Sequence, residues 1–192
     1  MRPTKLKTLK TKIFLDSGDP ADTKEVLDRL GFLDGQTTNP SLVAKNPEVQ
    51  ARLEAGNPFT REELMAKYTE VIKEISAQIP DGSVSIEVYA DAKTTADEML
   101  EQAHMMYEWV PNAHIKLPTT SEGLKAAWSL TEEGIRVNMT LVFTQAQAAA
   151  VYSATFGARK GDVFLSPFIG RLDDRGERGI DLIKNTMEMY RD

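Results

Sequence analysis

Ala113-His114-Ile115-Lys116-Leu117-Pro118-Thr119-Thr120, an apolar helical stretch from Leu124 to Leu130, Gly134, and then Arg136-Val137-Asn138-Met139-Thr140-Leu141-Val142-Phe143 read as strand, helix, strand. A strand that returns to a strand through a helix makes a parallel pair, and the right-handed crossover brings both strand C-termini to one end. Lys116 stands out in this stretch. Flanked by Ile115 and Leu117 and stopped by Pro118, it is poorly placed for an ordinary solvated charge. A partly desolvated amine loses basicity and becomes a nucleophile for carbonyls, whereas an ordinary lysine snorkels to the surface.

The same rhythm runs through the chain six times. Ile13-Phe14-Leu15 ends at Asp16; Asp19 offers an N-cap to Pro20, and Val26, Leu27 and Leu30 mark an apolar face closed by Gly31. Gly35 to Asn39 is a second strand, stopped by Pro40, and a longer connection follows with Pro47 and Asn57-Pro58 as breakers. Thr60 and Glu63 form a capping box ahead of Leu64, Tyr68, Val71, Ile72 and Ile75. Ser83 to Tyr89 is the third strand, and Thr95 with Glu98 caps a helix that turns Met99, Ala103, Met106 and Val110 inward. After the fifth strand comes an alanine-rich helix from Gln145 to Thr155, then a sixth strand, Asp162 to Phe168. A last helix from Glu177 carries Ile180, Ile183, Met187 and Tyr190 at helical spacing. The class is α/β with a parallel sheet in a single domain, 1–192. Alternation alone leaves a (β/α)-barrel and an open doubly wound sheet both open, but no glycine-rich nucleotide fingerprint supports the second.

Composition narrows the function. With 192 residues, 41% hydrophobic and 27% charged, the chain reads as an ordinary globular domain. A formal net charge of −6 argues against a nucleic-acid partner. There are no cysteines and only His104 and His114 as imidazoles, so no thiolate or zinc site is expected, and no metal or other cofactor. No apolar run approaches the length of a membrane span, and no apolar segment follows the basic start Met1–Lys12, read as a solvated tail. The expected compartment is the cytoplasm.

Polar residues recur inside or at the ends of these apolar strands: Asp16, Thr37 and Asn39, Glu87, Lys116, Asn138 and Thr140, and Ser166. An inward polar residue costs roughly 1–3 kcal/mol unless partnered, so one from each of six strands points to a shared site. In a barrel that site lies at the strands' C-terminal ends. The residue types specify a chemistry. A lysine amine condenses with a ketone to an imine, and the protonated imine accepts electrons as a neighbouring C–C bond breaks. Asp16 and Glu87 are the candidate proton carriers, with Thr140 beside Glu87 in a water relay.

At this point the residues become recognisable. Gly35-Gln36-Thr37-Thr38-Asn39-Pro40-Ser41-Leu42 and Ile115-Lys116-Leu117-Pro118-Thr119-Thr120-Ser121-Glu122-Gly123-Leu124 resemble the two transaldolase signatures. Val137 to Phe143 and Ser166-Pro167-Phe168-Ile169-Gly170-Arg171 match further motifs in order. The resemblance implies a (β/α)8 barrel of the TIM type and names Lys116 as the Schiff-base nucleophile. It gives Asp16 the C4 hydroxyl proton, and Glu87 with Thr140 the catalytic water. Thr37, Asn39, Asn138 and Ser166 would hold the dihydroxyacetone moiety, and Arg171 the sugar phosphate. Structural alternatives stand beside these roles. Asn39 can stabilise the turn before Pro40, Thr37 and Ser166 can satisfy backbone groups, and Arg171 can pair with Asp173 or Asp174.

The implied reaction moves a dihydroxyacetone unit between sugar phosphates, from fructose 6-phosphate to erythrose 4-phosphate, in the pentose phosphate pathway. The fructose-6-phosphate aldolases that resemble this chain typically carry Gln at the position of Glu87 and Tyr at that of Phe168. Both positions here have the transaldolase residue, which favours transfer over release. Six strand–helix units fall short of eight, and such barrels run to about 250 residues, so a chain lacking the last two units is expected. A partner supplying the missing strands and an unusual six-stranded closure are the alternatives to truncation; an inactive fragment or interaction subunit is the alternative to the enzyme, and a homo-oligomer is compatible with the sequence.

Overall fold

The structure, a computed structural model, describes residues 9–191. Residues 1–8, most of the basic start, lie outside the described residues; Lys10 and Lys12 are exposed. The elements follow one another as β1 (Phe14–Asp16), α1 (Pro20–Leu30), β2 (Gly35–Thr37), α2 (Pro40–Ala44), α3 (Pro47–Glu54), α4 (Arg61–Gln78), β3 (Ser83–Glu87), α5 (Ala96–Tyr107), β4 (Ala113–Pro118), α6 (Ser121–Glu132), β5 (Val137–Val142), α7 (Gln145–Ala154), β6 (Val163–Pro167), α8 (Ile169–Asp174) and α9 (Gly179–Met189).

Contacts gather the described residues into two compact units, one running to Glu87 and including Met105–Ala113, the other comprising Val88–His104 and the residues from His114 onward. In the first, β1 pairs in parallel with β2 and β2 with β3; in the second, β4 pairs with β5 and β5 with β6. A doubly wound sheet reverses its strand order at a switch point, and neither unit does so. The fold is therefore α/β of the (β/α)-barrel type, with six β/α units among the described residues.

The expected caps form. Asp19 accepts from the Ala21 amide ahead of α1, which ends at Gly31 with φ +76°, a left-handed conformation glycine adopts without a Cβ clash. Thr60 and Glu63 cap α4 reciprocally, and Thr95 and Glu98 do the same for α5. In the first unit α4 packs on β3, burying Tyr68, Val71, Ile72 and Ile75 with Val84 and Ile86. In the second, Ile115, Leu117, Leu130, Val137, Met139, Val142 and Val151 form the core.

The structure departs from expectation in four places. The connection after β2 is helical: Pro40 and Pro47 open α2 and α3 behind the caps Asn39 and Asn46, because proline at a helix start loses no hydrogen bond. Asn39 therefore lies outside the strand. A further helix, α8, follows Phe168. On α9 the stripe is split: Ile180 and Met187 are 46% and 52% exposed, Ile183 is half-buried and Tyr190 donates to the Ala148 carbonyl of α7, while Leu182 and Thr186 are buried as α9 packs on α7 and α8. In α1 Pro20 and Thr23 are buried, Val26 and Leu27 of the expected face are half-buried, and Leu30 is exposed.

Candidate active site

The first unit supplies a carboxylate pair on one sheet face. Asp16 is the last residue of β1 and lies in register with Thr37 of β2, which lies in register with Ser85 of β3. Side chains alternate along a strand, so Glu87, two residues beyond Ser85, shares the face of Thr37 and Asp16. Thr37 Oγ1 donates to Asp16 Oδ1 at 2.7 Å; the Leu15 carbonyl lies at 3.5 Å, so the carboxylate is its true acceptor. Asn39 Oδ1 accepts from the Leu42 amide at 2.8 Å, which commits the oxygen to capping α2 and leaves the side-chain nitrogen out of the cap.

Glu87 is held from behind. Its backbone N–H donates to Tyr68 Oη at 3.0 Å, and Thr38 Oγ1 donates to the Ser85 carbonyl at 2.9 Å. With the Thr38 proton committed, the 3.0 Å contact between Tyr68 and Thr38 has the phenol as donor. Burial pushes the Tyr68 phenol far above its ordinary range, opposed by its hydrogen bonds to Thr38 and the Glu87 amide and aided by the Glu87 charge. Tyr68 therefore keeps its proton throughout the physiological range.

The second unit holds the amine. All of β4 is buried, and Lys116 is only 6% exposed. Lys116 lies in register with Asn138 of β5, so the two share a face with Thr140, two residues on. Ser166 Oγ donates to Asn138 Oδ1 at 2.7 Å, which fixes the orientation of the amide. Thr140 is 1% exposed, and its Oγ1 has no hydrogen-bond partner among the described residues. Such a hydroxyl costs about 1–3 kcal/mol, so it favours any bound molecule that completes the bond.

Beyond Thr140 the strand bulges. Leu141 has φ +60° and the β5–β6 register shifts between Met139 and Val142. Gln147 of α7 clips this bulge, accepting from the Phe143 amide at 2.9 Å and donating to the Thr119 and Leu141 carbonyls at 3.2 and 3.3 Å. A left-handed leucine stores about 1–2 kcal/mol. Leu141→Gly is therefore expected to be no less stable than the parent in urea, and Leu141→Val to lose about 1 kcal/mol or more.

Gly123 sets the approach of α6 to the end of β4. A Cβ there would lie 1.9 Å from the Pro118 carbonyl oxygen, while Thr120 Oγ1 caps the helix by accepting from the Gly123 amide. Gly123→Ala is expected to cost about 3 kcal/mol in a urea melt, because backbone rather than a flexible side chain must move. At the end of β6, Phe168 packs edge-on against Phe143 with ring centroids 5.4 Å apart. Phe168, Arg171 and Asp174 line a depression of about 390 Å³ with Pro167, Ile169 and Gly170. Arg171 is exposed, and among the described residues no ion pair joins it to Asp173 or Asp174.

The structure thus gathers Asp16, Thr37 and Glu87 on one face of the first unit, and Lys116, Asn138, Thr140 and Ser166 on one face of the second, with Asn39 at a helix cap and Phe168 and Arg171 beside the depression. Two supports, Tyr68 and Gln147, were not among the expected site residues. Tyr68 carries a polar tip on the otherwise aliphatic face of α4, which was a usable signal; nothing local marks Gln147. His114 is also buried, stacked on Phe164 at 4.2 Å with Nε2 3.0 Å from the Gly161 carbonyl oxygen, to which it donates.

A family model described as transaldolase/fructose-6-phosphate aldolase matches residues 13–192. A "probable transaldolase 2" of Listeria monocytogenes is 42% identical over 174 residues, covering 91% of this chain and 66% of the relative. A "probable transaldolase" of Dehalococcoides mccartyi is 39% identical over 181 residues, 94% of this chain and 71% of the relative. One from Thermoplasma volcanium is 41% identical over 179 residues, 93% of this chain and 69% of the relative. The chain thus spans about two thirds of the length of these relatives. Among the described residues no helix is long and apolar enough to cross a membrane.

Proposed function

Because this chain belongs to the transaldolase/fructose-6-phosphate aldolase family, we propose that its reaction is transaldolase transfer of a dihydroxyacetone unit through a Schiff base on Lys116. The Lys116 amine adds to C2 of fructose 6-phosphate and water leaves, giving a protonated imine. The C3–C4 bond breaks with its electron pair passing to the imine nitrogen, while Asp16 takes the C4 hydroxyl proton and glyceraldehyde 3-phosphate departs. The enamine then attacks the aldehyde carbon of erythrose 4-phosphate, and Asp16 returns its proton to the new alkoxide. Water, handled by Glu87 and Thr140, hydrolyses the imine and releases a seven-carbon ketose phosphate. Asn138, held by Ser166, would bond the dihydroxyacetone hydroxyls with Thr37 and Asn39, and Arg171 would bind the phosphate.

The observation that carries this reading is the burial of Lys116, 6% exposed, within the segment that resembles the lysine signature. A solvated lysine would have snorkelled out of a strand whose other residues are all buried. The orphan hydroxyl of Thr140 supports the water relay. Glu87 and Phe168 support transfer over release. Such a reaction belongs to the pentose phosphate pathway and a cytoplasmic setting, and needs no metal.

Product analysis tests the reading. Fructose 6-phosphate with erythrose 4-phosphate is expected to yield glyceraldehyde 3-phosphate and the seven-carbon ketose phosphate in equal amounts. Predominant free dihydroxyacetone would move the chain to the aldolase branch and overturn the weight given to Glu87 and Phe168.

A further inference from the structure

Gln36 lies between Gly35 and Thr37 in β2 and is fully buried. Strand alternation turns it to the face opposite Thr37. There its Oε1 accepts from Thr23 Oγ1 of α1 at 2.7 Å, and its Nε2 donates to the Ser17 carbonyl oxygen at 2.8 Å. Thr23 is itself fully buried. Ser17 is the residue after Asp16, and its other polar groups are also engaged. Its N–H donates to the Thr37 carbonyl at 3.2 Å, and its Oγ donates to Asp22 Oδ2 at 2.6 Å while accepting from the Asp19 amide at 3.0 Å.

We propose that Gln36 is a positioning residue for Asp16: of two consecutive residues of β2, Thr37 bonds the carboxylate and Gln36, on the opposite face, fixes the residue that follows it. Thr37 holds the Asp16 side chain directly, and Gln36 holds the carbonyl of the next residue, Ser17. The inference rests on the reading of Asp16 as the proton carrier. A buried amide that served packing alone could bond anywhere in its surroundings; this one links the turn carrying the carboxylate to the first helix. Proton transfer in a C–C cleavage depends steeply on the placement of the base, whereas imine formation at Lys116 does not involve Asp16.

Gln36→Met keeps the length and burial and removes both bonds; Thr23→Val removes only the donor to Oε1. With fructose 6-phosphate and erythrose 4-phosphate, Gln36→Met is expected to lower kcat about 10- to 100-fold and to leave KM within about threefold. Borohydride trapping of the Lys116 imine should continue at the parent rate. Thr23→Val should act in the same direction by about 3- to 10-fold, and it carries the test if Gln36→Met does not fold. In an Asp16→Asn background Gln36→Met should have no further effect, since the group it places is gone. The proposal is overturned if both variants turn over like the parent, if imine formation falls together with cleavage, or if Gln36→Met costs the same factor in the Asp16→Asn background. A parent chain that forms no imine, or an Asp16→Asn variant as fast as the parent, overturns the reading of Asp16 itself, and the proposal with it.

Discussion

Lys116→Met is expected to abolish turnover, on the order of 10⁵-fold, while the protein stays folded. Methionine copies the unbranched stem of lysine and suits a position that is 6% exposed between the buried Ile115 and Leu117. Stability in urea should stay within about 1.5 kcal/mol of the parent. Lys116→Arg separates the two uses of a cation. A guanidinium keeps the charge but does not deprotonate, so it forms no imine. Both variants should be inactive if Lys116 is a nucleophile. An arginine variant retaining more than a few per cent of turnover would mean that the lysine contributes charge alone.

Asp16→Asn is expected to uncouple imine formation from bond cleavage. The amide oxygen still accepts from Thr37 Oγ1, now 2.7 Å from Asp16 Oδ1, so the geometry of the turn is retained. What is lost is a group able to take the C4 hydroxyl proton. General base catalysis contributes about 10²- to 10⁴-fold, and release of glyceraldehyde 3-phosphate should fall by that factor. Trapping of the first imine with fructose 6-phosphate should continue near the parent rate. Equal loss of trapping and cleavage would place Asp16 in substrate binding or folding instead.

The β/α rhythm was legible because its signals are local. Thr60 with Glu63, Thr95 with Glu98, and Asp19-Pro20 closed by Gly31 each cap a helix through neighbours within a turn. The prolines at 40 and 47 misled because proline both breaks a helix and begins one; the preceding asparagines decide which. The α9 stripe was legible only in part: Tyr190 meets α7, but Leu182 and Thr186 are the buried residues, and periodicity does not say which neighbour a helix will meet. Lys116 was readable as an amine inside an apolar strand. The left-handed Leu141 was not, because the clip that holds it comes from Gln147 in the next helix. Gln36 was equally hidden: its importance lies in a bond to the Ser17 carbonyl across the strand pair.

Everything in the proposed reaction depends on a covalent bond between the amine of Lys116 and the ketose. Borohydride reduction of the 192-residue chain in the presence of fructose 6-phosphate, followed by intact mass and peptide mapping, tests it directly. One reduced three-carbon adduct per chain is expected, carried on Lys116 and absent from Lys116→Met. No adduct under conditions that label a full-length relative, or an adduct on another lysine, would contradict it.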